Sequence, residues 1–512
     1  MKTARNIVLV AAACGALAAC GSEGAPPTYG SANGGAGGTT SGGAGGQSGS
    51  GSGGTGPGGA QGSSGAGTDG AAGSGGSVVD GGSGTGGSGG SGGSGANSDA
   101  GDAGPPPPFD GEGDPWTKPA PRATCRSGDK GETGLQGLGT DVRCNLDVKG
   151  QVAAEHFLSL AWYGECAYVN GSTGTTVIDA SNPASPKVVT RLTTPGMQSN
   201  WESMKVHEGR GLLVGYQSNA PILDIYDVKA DCKAPVLARS YNLGGSGHSG
   251  NFSPDGTIYY ASSLFTAQVF AVELTDPKNP SVITSNFERT THDLFVGKEG
   301  KRGYFVYTQL INFGMGSLAI VDLSQVQARA ANAQGKLIKE ISWPDGSASQ
   351  YPIPITYRGR DYLVMTDELG SGSNCADPAK PQFGYARIFD IQDETNPVLV
   401  SKIKTEAQDP AHCTEATAQA GTFFGVGTHY CNVDRRDDPR LLSCGLWAGG
   451  VRLYDIRNPW RPKEVAYFNV PNTQVPGLTR LRVAERELWV ATSTTFYVLG
   501  LPEAVIGPLL SD

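Results

Sequence analysis

A short pattern recurs six times along this chain and limits the folds that the chain can adopt. In each copy, a run of β-branched or aromatic residues ends in an acidic residue, and a polar turn and a second apolar run follow. Such a unit is typical of a β-hairpin. The acidic residues that mark the six copies are Asp179, Asp227, Glu273, Asp322, Asp390 and Asp455. Their spacings are 48, 46, 49, 68 and 65 residues, and a period of roughly 40–50 residues with several strands per repeat is typical of β-propeller blades.

A second set of apolar segments gives the number of blades. Seven of them have the composition of a strand and precede a further strand; they begin at Glu165, Gly211, Thr257, Gly303, Asp361, Leu441 and Glu487. The last one is followed by a single strand, Phe496–Leu501, whereas Cys144–Val152 has no partner of its own. Pairing these two segments would close the ring and remove its open edges. We therefore predict an all-β fold, a seven-bladed β-propeller closed by this N-terminal strand. Eight blades is the alternative if Ala123–Thr140 contains strands.

The repeated phrase resembles the LVIVD repeat of secreted and cell-surface propellers, and the resemblance extends over about residues 120 to 505. Further stretches are similar to phrases of one bacterial subfamily of secreted LVIVD lipoproteins: Glu132–Gly137, Trp201–Tyr216, His248–Gly256, Tyr351–Val364 and His429–Arg436. The resemblance implies a fold and an exported location. It implies no particular reaction.

The first quarter of the chain differs in composition from the rest. Basic residues followed by an apolar run over residues 7–19 are typical of a secretion signal that is too short to span a bilayer. The sequence Leu17–Cys20 resembles a bacterial lipobox, which predicts lipidation at Cys20; a plain signal peptide is the alternative. The Gly/Ser-rich stretch that follows cannot bury a core. We divide the chain into a signal peptide (1–19), a disordered linker with lipidated Cys20 (20–118), the propeller (119–505) and a C-terminal tail (506–512).

Composition narrows the range of partners. The formal net charge is −9 and only 17% of the residues are charged, with no basic stripe of the kind that binds nucleic acid. A basic amphipathic helix for membrane binding is also absent from the sequence, so the lipid is the only membrane contact that we expect. We therefore expect a monomeric outer-membrane lipoprotein that lies in the periplasm or at the cell surface.

The cysteines favour disulfide bonds. Of ten cysteines, Cys14 leaves with the signal and Cys20 is the lipid anchor. The even number left in an exported chain predicts a disulfide framework whose pairing cannot be deduced by counting: Cys125, Cys144, Cys166, Cys232, Cys375, Cys413, Cys431 and Cys444.

The pairing near residue 430 has three alternatives. Cys431 and Cys444 are equidistant from a hairpin tip and can form a cross-strand disulfide. Cys413 can instead bridge to Cys431, or a metal site can form together with His412 and His429.

Four of the six histidines recur at one structural position. His156, His248, His292 and His429 each open the first strand of a blade, the strand that lines a propeller channel. Imidazoles around one channel can hold a metal ion or act in acid–base chemistry; the alternative is a set of polar residues hydrogen-bonded to neighbouring strands. The remaining channel candidates are Trp201 and Tyr351, at the same position in other blades, and the acidic neighbours Glu202 and Asp293, with Glu415 as a further acid.

The leading functional hypothesis is a binding module for a protein or glycan ligand. Long loops on a rigid scaffold often carry binding sites, and two unusually long ones occur here, Leu369–Tyr385 and Ala407–Thr428. No catalytic motif is visible, so no catalytic residue and no cofactor are predicted. The alternatives are a metal-dependent enzyme, with His248, His292 and His429 as candidate metal ligands in the channel, and a structural scaffold of the envelope.

Overall fold

A computed structural model describes residues 118–132, 135, 141–263, 268–306, 315–371, 375, 377, 381–420 and 424–510. The signal peptide, the lipidation site Cys20 and the linker up to residue 117 lie outside the described residues. Parts of both long loops do so as well.

The described strands form seven antiparallel sheets, which confirms the all-β, seven-bladed propeller. Blades 1 to 4 follow the chain. Blade 1 consists of β3 (Leu160–Tyr163), β4 (Cys166–Gly171), β5 (Gly174–Asp179) and β6 (Lys187–Leu192). Blade 2 consists of β7 (Lys205–His207), β8 (Leu212–Tyr216), β9 (Ile222–Asp227) and β10 (Val236–Asn242). Blade 3 consists of β11 (Ser249–Phe252), β12 (Ile258–Ser263), β13 (Gln268–Glu273) and β14 (Ser281–Thr284). Blade 4 consists of β15 (Leu294–Gly297), β16 (Arg302–Val306), β17 (Gly316–Asp322) and β18 (Lys336–Trp343).

Three further blades complete the ring, and blades 6 and 7 take strands from both ends of the domain. Blade 5 consists of β19 (Ser347–Tyr357), β20 (Arg360–Leu369), β21 (Ala386–Asp390) and β22 (Val398–Ile403). Blade 6 consists of β23 (Tyr430–Val433), β24 (Leu441–Gly445), β25 (Val451–Asp455), β26 (Lys463–Asn469) and, as a fifth strand, β1 (Val142–Cys144). Blade 7 consists of β27 (Arg480–Arg482), β28 (Glu487–Ala491), β29 (Thr495–Gly500) and β2 (Asp147–Ala153).

Helical segments are few and short. The α-helices of the described residues are α1 (Ser324–Gln327), α2 (Cys413–Ala420) and α3 (Glu503–Leu510), and the 3-10 helices are Pro195–Met197, Lys298–Gly300, Glu406–Gln408 and Pro410–His412. Within the described ranges, none of these helices has the length and apolar character needed to cross a bilayer.

The repeated acidic residue has one structural role in all six copies. Its side-chain oxygen accepts a hydrogen bond from the backbone N–H two residues later, which fixes the turn between the third and fourth strands of a blade. The donors are the N–H groups of Ser181, Lys229, Thr275, Ser324, Gln392 and Arg457. The repeated sequence pattern therefore marks a set of turns, each of which needs an acidic side chain as a hydrogen-bond acceptor.

Every blade also carries an irregularity between its third and fourth strands, with β2 as the fourth strand of blade 7. The register shifts once between these two strands in each of the seven sheets, and in blade 6 the fifth strand β1 lies outside this pair. Such β-bulges increase the local twist and make an exposed edge a poorer template for pairing with another chain. The bulges therefore protect the perimeter of the ring.

Among the described residues, seven hydrophobic clusters lie between the blades, one between each pair of adjacent blades. Strand β4 shows how this follows from the period of two along a strand. Ala167 and Val169 pack toward blade 7, whereas Cys166 and Tyr168 pack toward blade 2. Both faces of a blade are buried, and the first strands of successive blades contact one another around the central channel.

The two ends of the domain meet in blade 7. Strand β2 pairs with β29, with Val148 opposite Leu499 and Val152 opposite Phe496. Cys144 was expected in this same strand and that expectation was wrong, because it lies in β1, which pairs with β26 of blade 6. The chain turns between β1 and β2 at Asn145, which adopts φ 59°. No eighth sheet occurs in the described part of the chain.

The eight cysteines of the domain form four disulfides: Cys125–Cys144, Cys166–Cys232, Cys375–Cys413 and Cys431–Cys444. The last is the expected cross-strand bond, since its two residues are directly opposite in β23 and β24. The alternative pairing of Cys413 with Cys431 is excluded because Cys413 is bonded to Cys375. With these thiols consumed, the Cys/His metal site near residue 430 is excluded as well.

Gly150 provides a test of the contact between the first and last blades. A Cβ atom at this position in β2 would lie 2.4 Å from the carbonyl oxygen of Pro183, in a turn of blade 1. Gly150→Val should therefore lower the free energy of unfolding by about 2 kcal/mol, since backbone cannot move aside easily. Chemical denaturation measures the change, with Val148→Thr on the same strand as the matched control. Equal stability of both variants would contradict a blade 7–blade 1 contact at this position.

Candidate functional site

Four of the predicted channel residues lie close together at one end of the channel. Glu202 precedes β7, His248 precedes β11, His292 lies two residues before β15, and His429 precedes β23. Each therefore lies where the chain enters the first strand of a blade. A backbone hydrogen bond from the N–H of Glu202 to the carbonyl of His248 joins two of these segments.

The carboxylate of Glu202 lies between the three imidazoles. Its Oε2 is 3.2 Å from Nε2 of His248 and 3.7 Å from Nε2 of His292. Its Oε1 is 3.1 Å from Nε2 of His429, and this nitrogen is also 3.1 Å from Oε1 of Glu368. All five side chains are buried. We call Glu202, His248, His292, His429 and Glu368 the channel cluster.

Backbone carbonyls orient two of these histidines. Nδ1 of His292 is 3.2 Å from the carbonyl oxygen of Ser349, and Nδ1 of His429 contacts the carbonyl oxygen of Pro476. A carbonyl oxygen only accepts hydrogen bonds, so Nδ1 is protonated in both rings. Nε2 of each ring is then the nitrogen that is directed toward Glu202, which is the arrangement by which proteins orient histidine ligands of metals.

The cluster and its surroundings contain buried polar atoms that have no hydrogen bond of good geometry to any described residue. The contacts between Glu202 and the histidines are short, but some of them do not have the angles of a hydrogen bond. The atoms concerned are Nδ1 and Nε2 of His156, Nδ1 and Nε2 of His248, Oε2 of Glu202, Nε2 of His429, and both amide atoms of Gln350.

Burial and mutual contacts determine the charges of the cluster. Burial lowers the pKa of His429, but Glu368 and Glu202 outweigh it and raise the pKa to about 10. Burial together with the neighbouring His248 lowers the pKa of His292 to about 4. Burial would raise the pKa of Glu202, yet the surrounding histidines, His248 first, hold it well below its usual range. At neutral pH, His429 is therefore a cation beside the Glu202 carboxylate, and His292 is neutral.

A second group of polar side chains lies beside the cluster. Lys205 donates to the carbonyl oxygen of Glu202, and its ammonium lies over the rings of Tyr351 and Tyr430 at 5.8 and 5.5 Å. The Tyr430 hydroxyl donates to Asp293 at 2.6 Å. Burial raises the pKa of Asp293 to about 6, although Lys205 opposes this shift. The sequence indicated Tyr351 and Asp293 as channel residues, whereas Lys205 has no sequence signal.

Aromatic side chains wall the cluster on two sides. Trp201 meets His248 edge-on at 5.2 Å between ring centroids. Trp447 lies 4.6 Å from His429 and stacks on Phe424 at 4.4 Å. The backbone here is unusual, because Trp201 and Trp447 adopt φ 41° and 32°. Positive φ in a bulky residue has an energetic cost and tends to occur at functional sites.

The two long loops lie beside the same end of the channel. The Cys375–Cys413 disulfide joins them, and Gln408 donates to the carbonyls of Gly384 and Val426. The second loop then reaches the cluster, since a Cβ on Gly427 would lie 2.1 Å from the carbonyl oxygen of Glu368. The described parts of these loops therefore form one pinned structure, which we call the strap.

The structure also separates some predicted residues from the cluster. His412 is partly exposed and pairs with Glu406 at 3.6 Å, and Glu415 is exposed on α2, where it accepts from Gln419. Neither contacts the channel cluster. Besides Lys205, sequence reasoning missed Glu368, Gln350 and Trp447, because each of these follows or lies within an ordinary strand pattern.

One group in the described part of the chain has the spacing of a metal site. Ligand atoms of Glu202, His248 and His292 all lie within 4.8 Å of one another. His429, which the sequence also suggested as a ligand, lies on the opposite oxygen of Glu202 beside Glu368.

Comparison with known proteins places an LVIVD repeat in this chain. The LVIVD repeat model matches residues 158–194, which contain β3 to β6 of blade 1, and confirms the resemblance for that segment. No curated protein is significantly similar in sequence to the chain.

Solved structures show distant similarity. Kuenenia stuttgartiensis hydrazine synthase has a TM-score of 0.46 at 10% identity, over 72% of this chain and 96% of that chain. A protein from Lactobacillus plantarum has a TM-score of 0.45 at 13% identity, over 63% of this chain and 88% of that chain. A hypothetical selenium-binding protein from Sulfolobus tokodaii has a TM-score of 0.45 at 13% identity, over 64% of this chain and 82% of that chain. Similarities at this level carry no information about ligand or reaction.

The charge of His429 predicts a specific pH dependence. The pKa of His429 is raised from 6.5 to about 10, so the stability it contributes is fully present below pH 6.5 and is lost as the pH rises through 10. His429→Gln leaves two buried carboxylates without their cation and should cost about 3 kcal/mol near pH 6.5. The difference from the wild type should shrink steadily toward pH 10.

Urea denaturation in the presence of a chelator measures this difference, with His207→Gln as a control outside the channel. A stability difference that stays constant from pH 6.5 to pH 10 would contradict a charged His429.

Proposed function

We propose that this propeller, which carries an LVIVD repeat in blade 1, is a binding module whose ligand is small and polar and occupies the channel cluster. The observation that carries the proposal is the concentration, at that one end of the channel, of polar atoms on buried residues that have no hydrogen bond of good geometry. Native proteins leave few buried polar atoms unsatisfied. A group of them in one place is accounted for by a ligand that supplies the missing partners.

Gln350 is the clearest case. Its side chain is fully buried and lies beside the Tyr430 hydroxyl. Even so, neither amide atom is aligned for a hydrogen bond with a described residue. An amide in this condition costs about 1–3 kcal/mol, and a leucine of similar volume would avoid the cost. A binding role accounts for a glutamine at this position.

The surroundings support the same function. Trp201 and Trp447 hold strained backbone conformations next to the histidines, and the strap packs against Glu368. The seven inter-blade cores make the ring a rigid support for these groups. Because the cluster is buried, it suits an ion or a small molecule, whereas a protein or glycan would contact only the rim and the strap. Lipidation at Cys20 remains part of the proposal and would tether this site to the envelope.

A pair of buried glutamines tests the proposal. Gln350→Leu removes an unsatisfied amide and should raise the free energy of unfolding by about 1 kcal/mol. Gln408 is equally buried but satisfied, since Nε2 donates to Gly384, Val426 and Thr428 and Oε1 accepts from Thr405. Gln408→Leu should therefore lower it by at least about 2 kcal/mol.

Chemical denaturation of the two variants, in protein dialysed against chelator, is the measurement. If Gln350→Leu destabilises the protein as much as Gln408→Leu does, Gln350 has a structural partner and the proposal fails. Native mass spectrometry of undialysed protein provides the binding readout: the wild type should carry a mass excess that is lost on denaturation, and Gln350→Leu should carry less of it.

A further inference from the structure

We propose that Glu202 Oε2, His248 Nε2 and His292 Nε2 together coordinate one divalent transition-metal ion in the channel. This inference rests on the proposed function, because it identifies the ion as the first component of the bound ligand.

The distances agree with coordination. Bonds from such an ion to imidazole nitrogen and carboxylate oxygen are about 2.0–2.2 Å, so two donors at angles of 90–110° around it are roughly 3.0–3.5 Å apart. Oε2 of Glu202 is 3.2 Å from His248 Nε2 and 3.7 Å from His292 Nε2. These two separations fit a shared ion, and the three donor atoms all lie within 4.8 Å of one another.

The directions of the donors support an ion rather than hydrogen bonds. His248 Nε2 and Glu202 Oε2 are close, yet neither makes an aligned hydrogen bond with a described residue. In His292, the Ser349 carbonyl holds the proton on Nδ1, so Nε2 presents its lone pair toward the carboxylate. Two acceptors directed at each other repel, and a cation between them converts the repulsion into attraction. A carbonyl on the far nitrogen is also the usual outer partner of a metal-bound histidine.

His429 and Glu368 are positioning residues in this centre. The His429 imidazole lies 3.1 Å from Glu202 Oε1 and 3.1 Å from Glu368 Oε1, and the Pro476 carbonyl fixes its other nitrogen. The ring lies against Oε1 of Glu202, and Oε2 faces His248 and His292. Glu202 is therefore a monodentate ligand whose orientation depends on His429.

The donor set defines the class of ion. Two imidazoles and one carboxylate suit zinc, iron(II), cobalt, nickel or copper, whereas calcium and magnesium prefer oxygen ligands alone. Three protein ligands leave at least one coordination position open. A small ligand with an oxygen or nitrogen donor, water included, can bind the ion there while it contacts groups such as Gln350.

The test uses the whole chain, extracted in detergent and purified without a chelator or a polyhistidine tag. Elemental analysis should find about one equivalent of a transition metal. After chelator treatment, a titration with cobalt(II) should give visible absorption bands that saturate at one equivalent. Glu202→Gln, His248→Gln and His292→Gln should each weaken cobalt binding by more than about 100-fold, and His429→Gln, which only positions Glu202, by about 10–100-fold.

The matched control is the double variant His207→Gln/His412→Gln, which removes two histidines outside the channel cluster and should bind like the wild type. Glu202→Asp keeps the carboxylate but withdraws it, and should bind with intermediate affinity and an altered cobalt spectrum. Near-ultraviolet circular dichroism identifies any variant that has not folded, and the remaining variants then decide the outcome.

Less than about a tenth of an equivalent of cobalt, zinc, nickel, copper or iron(II) on folded wild type would overturn the metal centre. The metal centre would also be overturned if cobalt affinity were unchanged in Glu202→Gln and lost in the control, because the metal would then lie on the surface. Neither result decides whether a small polar ligand binds, because the stability of Gln350→Leu tests that proposal. If Gln350→Leu destabilises the fold while one equivalent of cobalt still binds, the metal centre stands and the ligand proposal fails.

Discussion

The channel cluster depends on the contacts that surround the buried carboxylate of Glu202. A buried carboxylate is stable only when nearby cations or hydrogen-bond donors compensate the lost hydration. Here, three imidazoles from three other blades approach its two oxygens. The cationic His429 compensates one oxygen. The other faces His248 and His292 without an aligned hydrogen bond, and this asymmetry is the basis of the proposed ion.

The propeller is suited to hold such a group. Each blade contributes the start of its first strand to the same end of the channel, and a separate hydrophobic cluster fixes every blade to its neighbours. A change in one blade's position would disturb two of these clusters. Pairing of β2 with β29 joins the two ends of the domain. Residues that are far apart in sequence, such as Glu202 and His429, are therefore held by packing rather than by local structure.

The sequence predicted what local chemistry determines. The acidic acceptors of the turns, such as Asp179, recur in the blades and indicated the propeller, and the seven second-strand segments gave the number of blades. The position of His248, His292 and His429 in the repeat also placed them in the channel. Glu368 and Gln350 could not be found in this way, because they lie within or at the end of strands and only contacts between blades give them a role. The pairing of Cys375 with Cys413 similarly depends on two loops that meet only in the folded chain.

Anomalous X-ray scattering from crystals of the protein, grown without chelator, tests the central claim most directly. Data collected above and below the absorption edge of the metal found in the protein should give one anomalous peak in the channel. The account predicts that this peak lies about 2.0–2.3 Å from Glu202 Oε2, His248 Nε2 and His292 Nε2. A channel without an anomalous peak in metal-loaded crystals, or a peak bound only to His207 or His412, would contradict it.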